Sequence, residues 1–482
     1  QIRGRPVDMT LLGASGPAGL AVLPEEGSCL SHGELGAEVG ALAAKFPPPG
    51  LLFCLCHNDL PTLLCYLACL DRGVVPLLLP GGIDKARLAG LLEAYRPNYV
   101  FHKRDDLAGI SAQTILHCGE YGLYRTGDDT RHALHPDLAL LLTTSGSTGS
   151  RKLVRISRRN LLANADSIID YLGIEAGERA ITTLPIHYSY GLSVINSHLR
   201  AGAALLLSDR SIMERQLWAQ IQRDGATSLA GVPYTYDMLL KLGIERLKMS
   251  AMRTFTQAGG RLAPERIRRV AESCGARGIR FFTMYGQTEA TARIAYLPWQ
   301  ETLARAGSIG RPIPGGALWL EDPQGRRIAQ AGCTGELLYS GPNVCLGYAT
   351  SHHDLALGDQ NQGILRTGDL AIIDDYGYFT LVGRASRFVK IFGNRIALDE
   401  VESLLHEQGL GAAVTGTDER LDVHLEGPLP EHDLQTRLAA TLGINPSAIA
   451  VRVLPGLPRL ESGKIDYASL AGFSSPCNVD AH

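Results

Sequence analysis

Leu141 to Lys152 reads LLTTSGSTGSRK. The apolar run Leu138, Leu140, Leu141 and Leu142 reads as a buried strand that breaks into hydroxyls and glycines. Thr143, Thr144, Ser145, Gly146, Ser147, Thr148 and Gly149 form the loop, and Arg151 with Lys152 closes it. Glycines let backbone N–H groups approach an anion closely, hydroxyls add donors, and a lysine adds a mobile positive charge. That is the chemistry of a phosphate cradle, set against the plain alternative of a Ser/Thr/Gly surface loop. The commonest cradle is excluded by spacing: five residues after Gly146 stands Arg151, so GxxxxGK[ST] is not met. The rest of the chain has to decide.

At 482 residues the chain is too long for one core, so two or more domains are expected. Lys+Arg of 46 against Asp+Glu of 49 leaves a net charge of −3, without a long single-sign run. This balance points away from a nucleic-acid surface or a polybasic membrane patch and toward small-molecule substrates. The cysteines form no CxxC pair and no Cys/His zinc spacing. Cys54, Cys56, Cys65 and Cys69 lie in apolar segments and read as small core hydrophobes, which suits a reducing cytoplasm. No run of eighteen or more apolar residues exists, and Gln1 to Pro6 lacks an apolar signal core, so neither a membrane span nor an export signal is expected. Since the chain opens on Gln, its first residues are expected to be a scar or a truncation.

Outward from the loop, strands and helices alternate at short intervals. Ser31 followed by Glu34 is a capping-box signature for a helix running to Lys45. Leu51–Leu55, Val74–Leu79 and Tyr99–His102 read as strands, with helices over 59–72 and 85–95. After the loop come a helix over 160–172, a strand over 180–184 entering PIHYSYGL (185–192), and further alternation. Thr254–Gln257 enters AGGRL (258–262), Pro264 opens a helix, and Phe281–Met284 runs into YGQTEAT (285–291). Such alternation signals βαβ units and a parallel sheet, whose ligands bind at turns following the strands. The fold class is therefore α/β. Beyond Leu297 short strands separated by Gly and Pro suggest a β-rich subdomain at about 298–383. After Arg384 the texture changes again. We expect residues 1–383 to form the main domain, 384–387 a hinge, and 388–482 a small, mobile α+β C-terminal domain.

Taken in series, these stretches resemble the adenylate-forming superfamily, which includes acyl-CoA synthetases, aryl- and aminoacyl-adenylating domains, and beetle luciferase. TTSGSTGSRK is similar to its phosphate loop, YGQTEAT to its adenine and magnesium motif, and GELLYSGPNVCLGY to the strand that follows. LRTGDL resembles the ribose motif, GRASRFVKIFGNRIALDEVE the hinge and thiol-delivery segment, and LPRLESGKID the catalytic-lysine motif.

The resemblance implies that a carboxylate attacks the α-phosphate of ATP, pyrophosphate leaves, and the acyl-adenylate passes to a pantetheine thiol. It implies a phosphate site of Thr144, Ser145, Gly146, Ser147, Thr148, Gly149 and Lys152, and a Mg²⁺ site at Glu289 and Thr148. Tyr285, Gly286, Thr288, Gly259 and Gly260 would frame the adenine, and Asp369 and Arg384 the ribose or phosphate. Lys464 would be the adenylation lysine, bridging the attacking carboxylate and the phosphate. Ser386 would be the hinge, with Gly393 and Lys390 serving the thiol step. Departures stand at Arg151, where the family usually has Pro and where a solvent-facing side chain is expected, and at Ser386, more often Asp or Lys.

The acid pocket would be lined by His187, Tyr188, Ser189, Val232, Ala258 and Met284. Amino-acid-activating members usually place an Asp after the strand, where this chain has His187, Tyr188 and Ser189. An unpaired buried ammonium is costly, so an aryl, fatty or small organic acid is expected rather than a standard α-amino acid. Tyr188, Ser189 and Tyr190 could read a hydroxyl on the acid or simply pack. The acceptor is coenzyme A, or alternatively the phosphopantetheine of a carrier protein. A retained fold acting as a non-catalytic binding protein is the remaining alternative.

Overall fold

Eight strands lie side by side around the segment that opens onto the loop. Their order is Gly347–Ala349, Leu153–Ser157, Leu138–Thr143, Val75–Pro80, Leu51–Cys56, Tyr99–Lys103, Tyr121–Thr126 and Ala112–Cys118. The central four are parallel, and the outer ones pair antiparallel. This computed structural model describes residues 11–12, 16, 18–46, 50–104, 112–128, 130–144, 151–384, 387–391, 394–417, 419–427, 434–442, 444–460 and 463–472.

Leu51–Cys56 (LLFCLC) shows why these strands are apolar throughout. Every residue is buried, with Leu52 and Cys54 facing one hydrophobic cluster and Leu51, Phe53 and Leu55 another, so the period of two is spent on two covered faces. The four clustered cysteines are all buried in the first of these clusters, in keeping with the core reading.

A second sheet of nine strands runs Arg311–Pro312, Ala295–Leu297, Arg280–Tyr285, Thr254–Gln257, Ser228–Gly231, Arg179–Ile181, Ala204–Leu206, Leu20–Leu23 and Leu30–Ser31. Its six middle strands are parallel. One buried cluster takes residues from both sheets and from helices His32–Ala43, Leu60–Arg72, Arg158–Leu172 and Ser189–Arg200. The first of these helices starts at the expected capping box: Ser31 N donates to Glu34 Oε2 (2.8 Å) and Glu34 N to Ser31 Oγ (3.2 Å).

The chain divides into two compact units. The first comprises Gln1–Ala306, Gly310–Ala317 and Tyr339–Leu365, the second Gly307–Ile309, Leu318–Leu338 and Arg366–His482. The β-rich stretch is therefore shared. Its segment 339–365 stays with the first unit because Gly347–Ala349 pairs with Leu153–Ser157. Ile364–Ile373 pairs instead with Phe379–Arg384 in a five-stranded sheet that lies mostly in the second unit. The second unit continues with the hairpin Phe388–Ile391/Asn394–Ala397 and a three-stranded sheet, Gly411–Thr417, Arg420–Glu426 and Ile449–Leu454, packed with helices Leu398–Glu407 and Leu434–Leu442.

Candidate active site

The sheet topology gathers the sequence-predicted residues of the first unit. Gly231, Gln257 and Thr283 are register neighbours on three adjacent parallel strands. The turns that follow, carrying Val232, Ala258–Gly260 and Gly286–Glu289, therefore leave the sheet at one carboxyl edge, where open α/β sheets bind ligands. Gln257 Nε2 donates to Gly260 O (2.9 Å) and braces the AGG turn. Gly259 has φ +82°, and a Cβ there would lie 2.5 Å from Tyr188 Oη and 3.1 Å from Val232 Cγ1. Glycine is thus required twice over, and Tyr188, Val232 and Gly259 form one wall.

Helix Ser189–Arg200 begins inside the PIHYSYGL stretch, where the sequence reading named no element. Tyr188 is its N-cap and His187, half-buried, precedes it. Ser189 Oγ and Thr288 Oγ1 are 3.1 Å apart and both buried. Tyr190 Oη donates to Thr256 O (2.8 Å), and its ring meets that of Tyr188 edge-on at 6.2 Å. Burial pushes the Tyr190 phenol up to about 12 and the Tyr188 phenol well above its ordinary range. Met284 Sδ accepts from Tyr171 Oη at 2.9 Å. Ala258 N donates to Gly231 O.

The loop itself joins two antiparallel strands, Leu138–Thr143 and Leu153–Ser157, with Thr143 opposite Leu153. The strand Leu153–Ser157 follows it in place of a helix, which is the physical difference from the GxxxxGK[ST] cradle, where a helix N-terminus faces the anion. Thr144 and Lys152 are described, whereas Ser145, Gly146, Ser147, Thr148 and Gly149 lie outside the described residues. Arg151 turns away from this chemistry. Its Nη2 is 2.8 Å from Glu93 Oε2 on helix Lys85–Tyr95, both side chains are more than half exposed, and its carbonyl accepts from Tyr95 Oη.

Lys152 Nζ lies 3.4 Å from the centre of the Tyr348 ring, and Tyr348 Oη donates to Glu289 Oε1 at 2.8 Å. Lys152 and Glu289 thus share one tyrosine, the lysine over its ring and the carboxylate on its hydroxyl. Burial, then the Glu289 charge, raises the Tyr348 phenol well above its ordinary range, so it stays a donor. Glu289 sits on the 3₁₀ turn Thr288–Ala290, and its carbonyl accepts from Cys345 N (2.8 Å), tying that turn to the strand bearing Tyr348. Gln287 Nε2 donates to Tyr285 Oη (3.1 Å), and Tyr285 is buried at the end of its strand. Gly286 serves packing: a Cβ there would lie 1.7 Å from Ala292 O and 2.9 Å from Arg293 Cα.

In the second unit Asp369 and Arg384 are cross-strand partners, with Arg384 Nε 3.1 Å from Asp369 Oδ1. Asp369 is buried and Arg384 exposed. Lys464 sits on a tight turn: its carbonyl accepts from Leu460 N (2.8 Å), Gly463 N donates to Leu460 O (2.8 Å), and Arg459 bridges Ile465. Ser386 and Gly393 lie outside the described residues, and Lys390 is described only as backbone in Phe388–Ile391. Arg387, the last residue of the expected hinge, is anchored. It pairs with Asp399 and with Glu402 (2.9 Å), donates to Val414 O (2.8 Å) and stacks 4.1 Å from the Tyr467 ring centre. Burial opposes its charge, but these carboxylates hold it above the usual range.

Sequence reading did not single out Tyr348, Asn343 or Arg293. Tyr348 stands 59 residues from Glu289 along the chain. Only the pairing of Gly347–Ala349 with the strand leaving the loop brings it there.

The fold and these motifs define an adenylate-forming architecture, and residues 21–349 match the AMP-binding enzyme family. The chain belongs to that family. Among curated relatives it is similar to peroxisomal OPC-8:0-CoA ligase 1 of Arabidopsis thaliana, 31% identical over 285 residues, 58% of this chain and 52% of that protein. It is also similar to the L-proline–[L-prolyl-carrier protein] ligase of Pseudomonas fluorescens, 30% identical over 356 residues, 70% of this chain and 69% of that protein. The chain spans about half the length of the first curated relatives it matches. Among solved structures, O-succinylbenzoate coenzyme A synthetase of Bacillus subtilis with AMP shares the fold, with TM-score 0.76 and 23% identity over 95% of this chain and 96% of that one. Among the described residues no helix is long and apolar enough to cross a membrane.

Proposed function

We propose that this protein activates a carboxylic acid with ATP and passes the acyl group to a pantetheine thiol. The observation that carries the reading is the contact of Lys152 and Glu289 on Tyr348, beside a hydroxyl- and glycine-rich loop. In the first step a carboxylate oxygen bonds to the α-phosphorus as the bond to pyrophosphate breaks. In the second, the thiol sulfur attacks the acyl carbon, its proton is lost, and AMP leaves.

The protein's part is to position the reactants and neutralise charge. Lys152, with Thr144 and the loop residues 145–149, would receive the β,γ-phosphates. Glu289 offers the hard carboxylate oxygens that Mg²⁺ prefers, with Thr148 as its partner ligand, and the ion would neutralise phosphate charge. Tyr285 and the backbone of Ala258–Gly260 suit a flat base, and Asp369 offers acceptors for ribose hydroxyls. Lys464 would align carboxylate and phosphate. For the thiol step, the hinge at residues 384–387 would turn about Ser386, with Arg387, bonded to Glu402 and Val414 O, holding its downstream end. Gly393 and Lys390 would line the thiol path.

Coenzyme A is the first choice of acceptor, since coenzyme A ligases stand among the relatives. The prolyl-carrier-protein ligase is the reason to keep a carrier protein as the second. A cytoplasmic setting is supported by the cysteines, which are free among the described residues. The test is acid-dependent ATP–pyrophosphate exchange across aryl, fatty, small organic and amino acids, followed by thioester formation with coenzyme A or a holo carrier protein. Exchange with no acid would overturn the reading. Exchange only with amino acids would overturn the pocket argument.

A further inference from the structure

Just past the magnesium motif the backbone makes an expensive turn. Thr291 has φ +65°, a conformation that β-branched residues seldom adopt. The turn is clamped from both sides. Thr291 Oγ1 donates to Asn343 O (2.7 Å), and Asn343 Nδ2 donates to Ala290 O (2.9 Å) and Arg293 O (2.8 Å). Asn343 is itself fixed by Tyr339 Oη at 2.7 Å. Gly286 leaves the space that lets Ala292 and Arg293 pass so close to the YGQTE strand end.

What this arrangement delivers into the interior is a guanidinium. Arg293 is 1% exposed, yet its Nε and Nη1 have no hydrogen-bond partner among the described residues. Its Cζ lies 4.0 Å from the Tyr190 ring centre, and Tyr171, which holds Met284, is hydrogen-bonded to it. Among the described residues no carboxylate pairs with it. Glu178, which borders a small cavity beside Arg293, stands 3.6 Å from Arg280 instead. A buried cation with two idle donors is costly unless an anion completes it. Two contacts link it to the predicted pocket: it lies over Tyr190, whose ring meets that of Tyr188, and it bonds Tyr171, whose hydroxyl meets Met284; its charge pulls down the Tyr188 phenol against burial.

Resting on the adenylation reading, we propose that Arg293 selects the acid: the substrate is a dicarboxylic acid, one carboxylate being activated and the other held by the Arg293 guanidinium. The buried cation answers the missing pocket aspartate with the opposite charge preference. Where a counter-charge for a substrate ammonium is absent, a counter-charge for a substrate carboxylate is present.

The test is ATP–pyrophosphate exchange by the full chain on α,ω-dicarboxylic acids of three to eight carbons and benzene dicarboxylic acids. Each is matched with its monomethyl ester, which keeps shape and removes one charge. The wild type is expected to prefer the best diacid over its ester by at least about 100-fold in kcat/KM, since a buried guanidinium discriminates strongly against a neutral mate. Arg293→Met should bring that ratio to within a few-fold, and Arg293→Lys should retain part of it. A structural role for Arg293 would lower exchange with diacid and ester alike and leave the ratio unchanged, which would overturn the proposal. Exchange confined to monocarboxylic acids would also overturn it while leaving adenylation standing. Silence with every acid would overturn the adenylation reading and this one with it. If Arg293→Met does not fold, the ratio in Arg293→Lys decides.

Discussion

Tyr348 is where the site can be tested most directly, because one side chain holds two groups by different forces. Tyr348→Phe deletes the hydroxyl that donates to Glu289 at 2.8 Å and keeps the ring beneath Lys152. A hydrogen bond to a charged group contributes about 1.5–3 kcal/mol, and the half-buried setting favours the lower end. A loss of about 1.4 kcal/mol corresponds to roughly a tenfold fall in kcat/KM for ATP. Tyr348→Leu also removes the ring. The Lys152 contact at 3.4 Å adds about 1 kcal/mol, a further factor of roughly five. The assay is pyrophosphate exchange measured over a grid of ATP and free Mg²⁺. The Phe variant should need more Mg²⁺ to reach half-maximal rate, because the Glu289 carboxylate proposed to hold the ion is no longer oriented. The Leu variant should in addition bind ATP more weakly at saturating Mg²⁺. A Phe variant with an unchanged or lowered Mg²⁺ requirement would refute the reasoning, as would a Leu variant indistinguishable from Phe.

Lys464→Ala should nearly abolish acid-dependent pyrophosphate exchange while the melting temperature stays unchanged, since Leu460 is bonded to Lys464 and Gly463 through backbone groups that alanine keeps; wild-type exchange would remove Lys464 from the site. Arg151→Ala should leave exchange within about twofold and stability within about 0.5 kcal/mol, because its partner is the exposed Glu93; a large loss of ATP affinity would instead place Arg151 on the phosphates. His198 is fully enclosed, accepts from Ser228 Oγ (3.2 Å) and donates to Val194 O (2.8 Å), and burial pushes it down to about 4. Its unfolded value is near 6.5, so protons favour the unfolded chain. This contribution is therefore complete above pH 6.5 and fades, by about 3 kcal/mol in all, as pH falls toward 4. Urea midpoints of wild type should drop more steeply over that window than those of His198→Gln, and parallel slopes would contradict the assignment.

The alternation of strands and helices, the capping box at Ser31 and the loop at 141–152 were legible because each is a local pattern: period, cap chemistry and glycine content act within a few residues. The motifs of the phosphate loop and YGQTE were readable for the same reason, and they point to the family that residues 21–349 match. Local signals failed where neighbours decide. Leu153–Ser157 becomes a strand because Leu138–Thr143 and Gly347–Ala349 flank it. Helix Ser189–Arg200 starts inside the aromatic PIHYSYGL stretch, which carries no helix signal of its own, with Leu192, Ile195 and Leu199 entering the core between the sheets.

Arg151 shows the boundary between the two kinds of information. Its identity marks a departure from the family pattern, but only the packing of helix Lys85–Tyr95 beside the loop gives it Glu93 as a partner. Sequence alone thus supplied the hydroxyls, glycines and lysine of the loop, the groups that a phosphate cradle uses. The tertiary structure alone decided that Lys152 and Glu289 share Tyr348, and that Arg293 is buried against Tyr190 with no paired carboxylate among the described residues. Those are contacts between residues far apart in the chain. They exist because strand order and a clamped turn bring them together, and no periodicity or local propensity encodes either one.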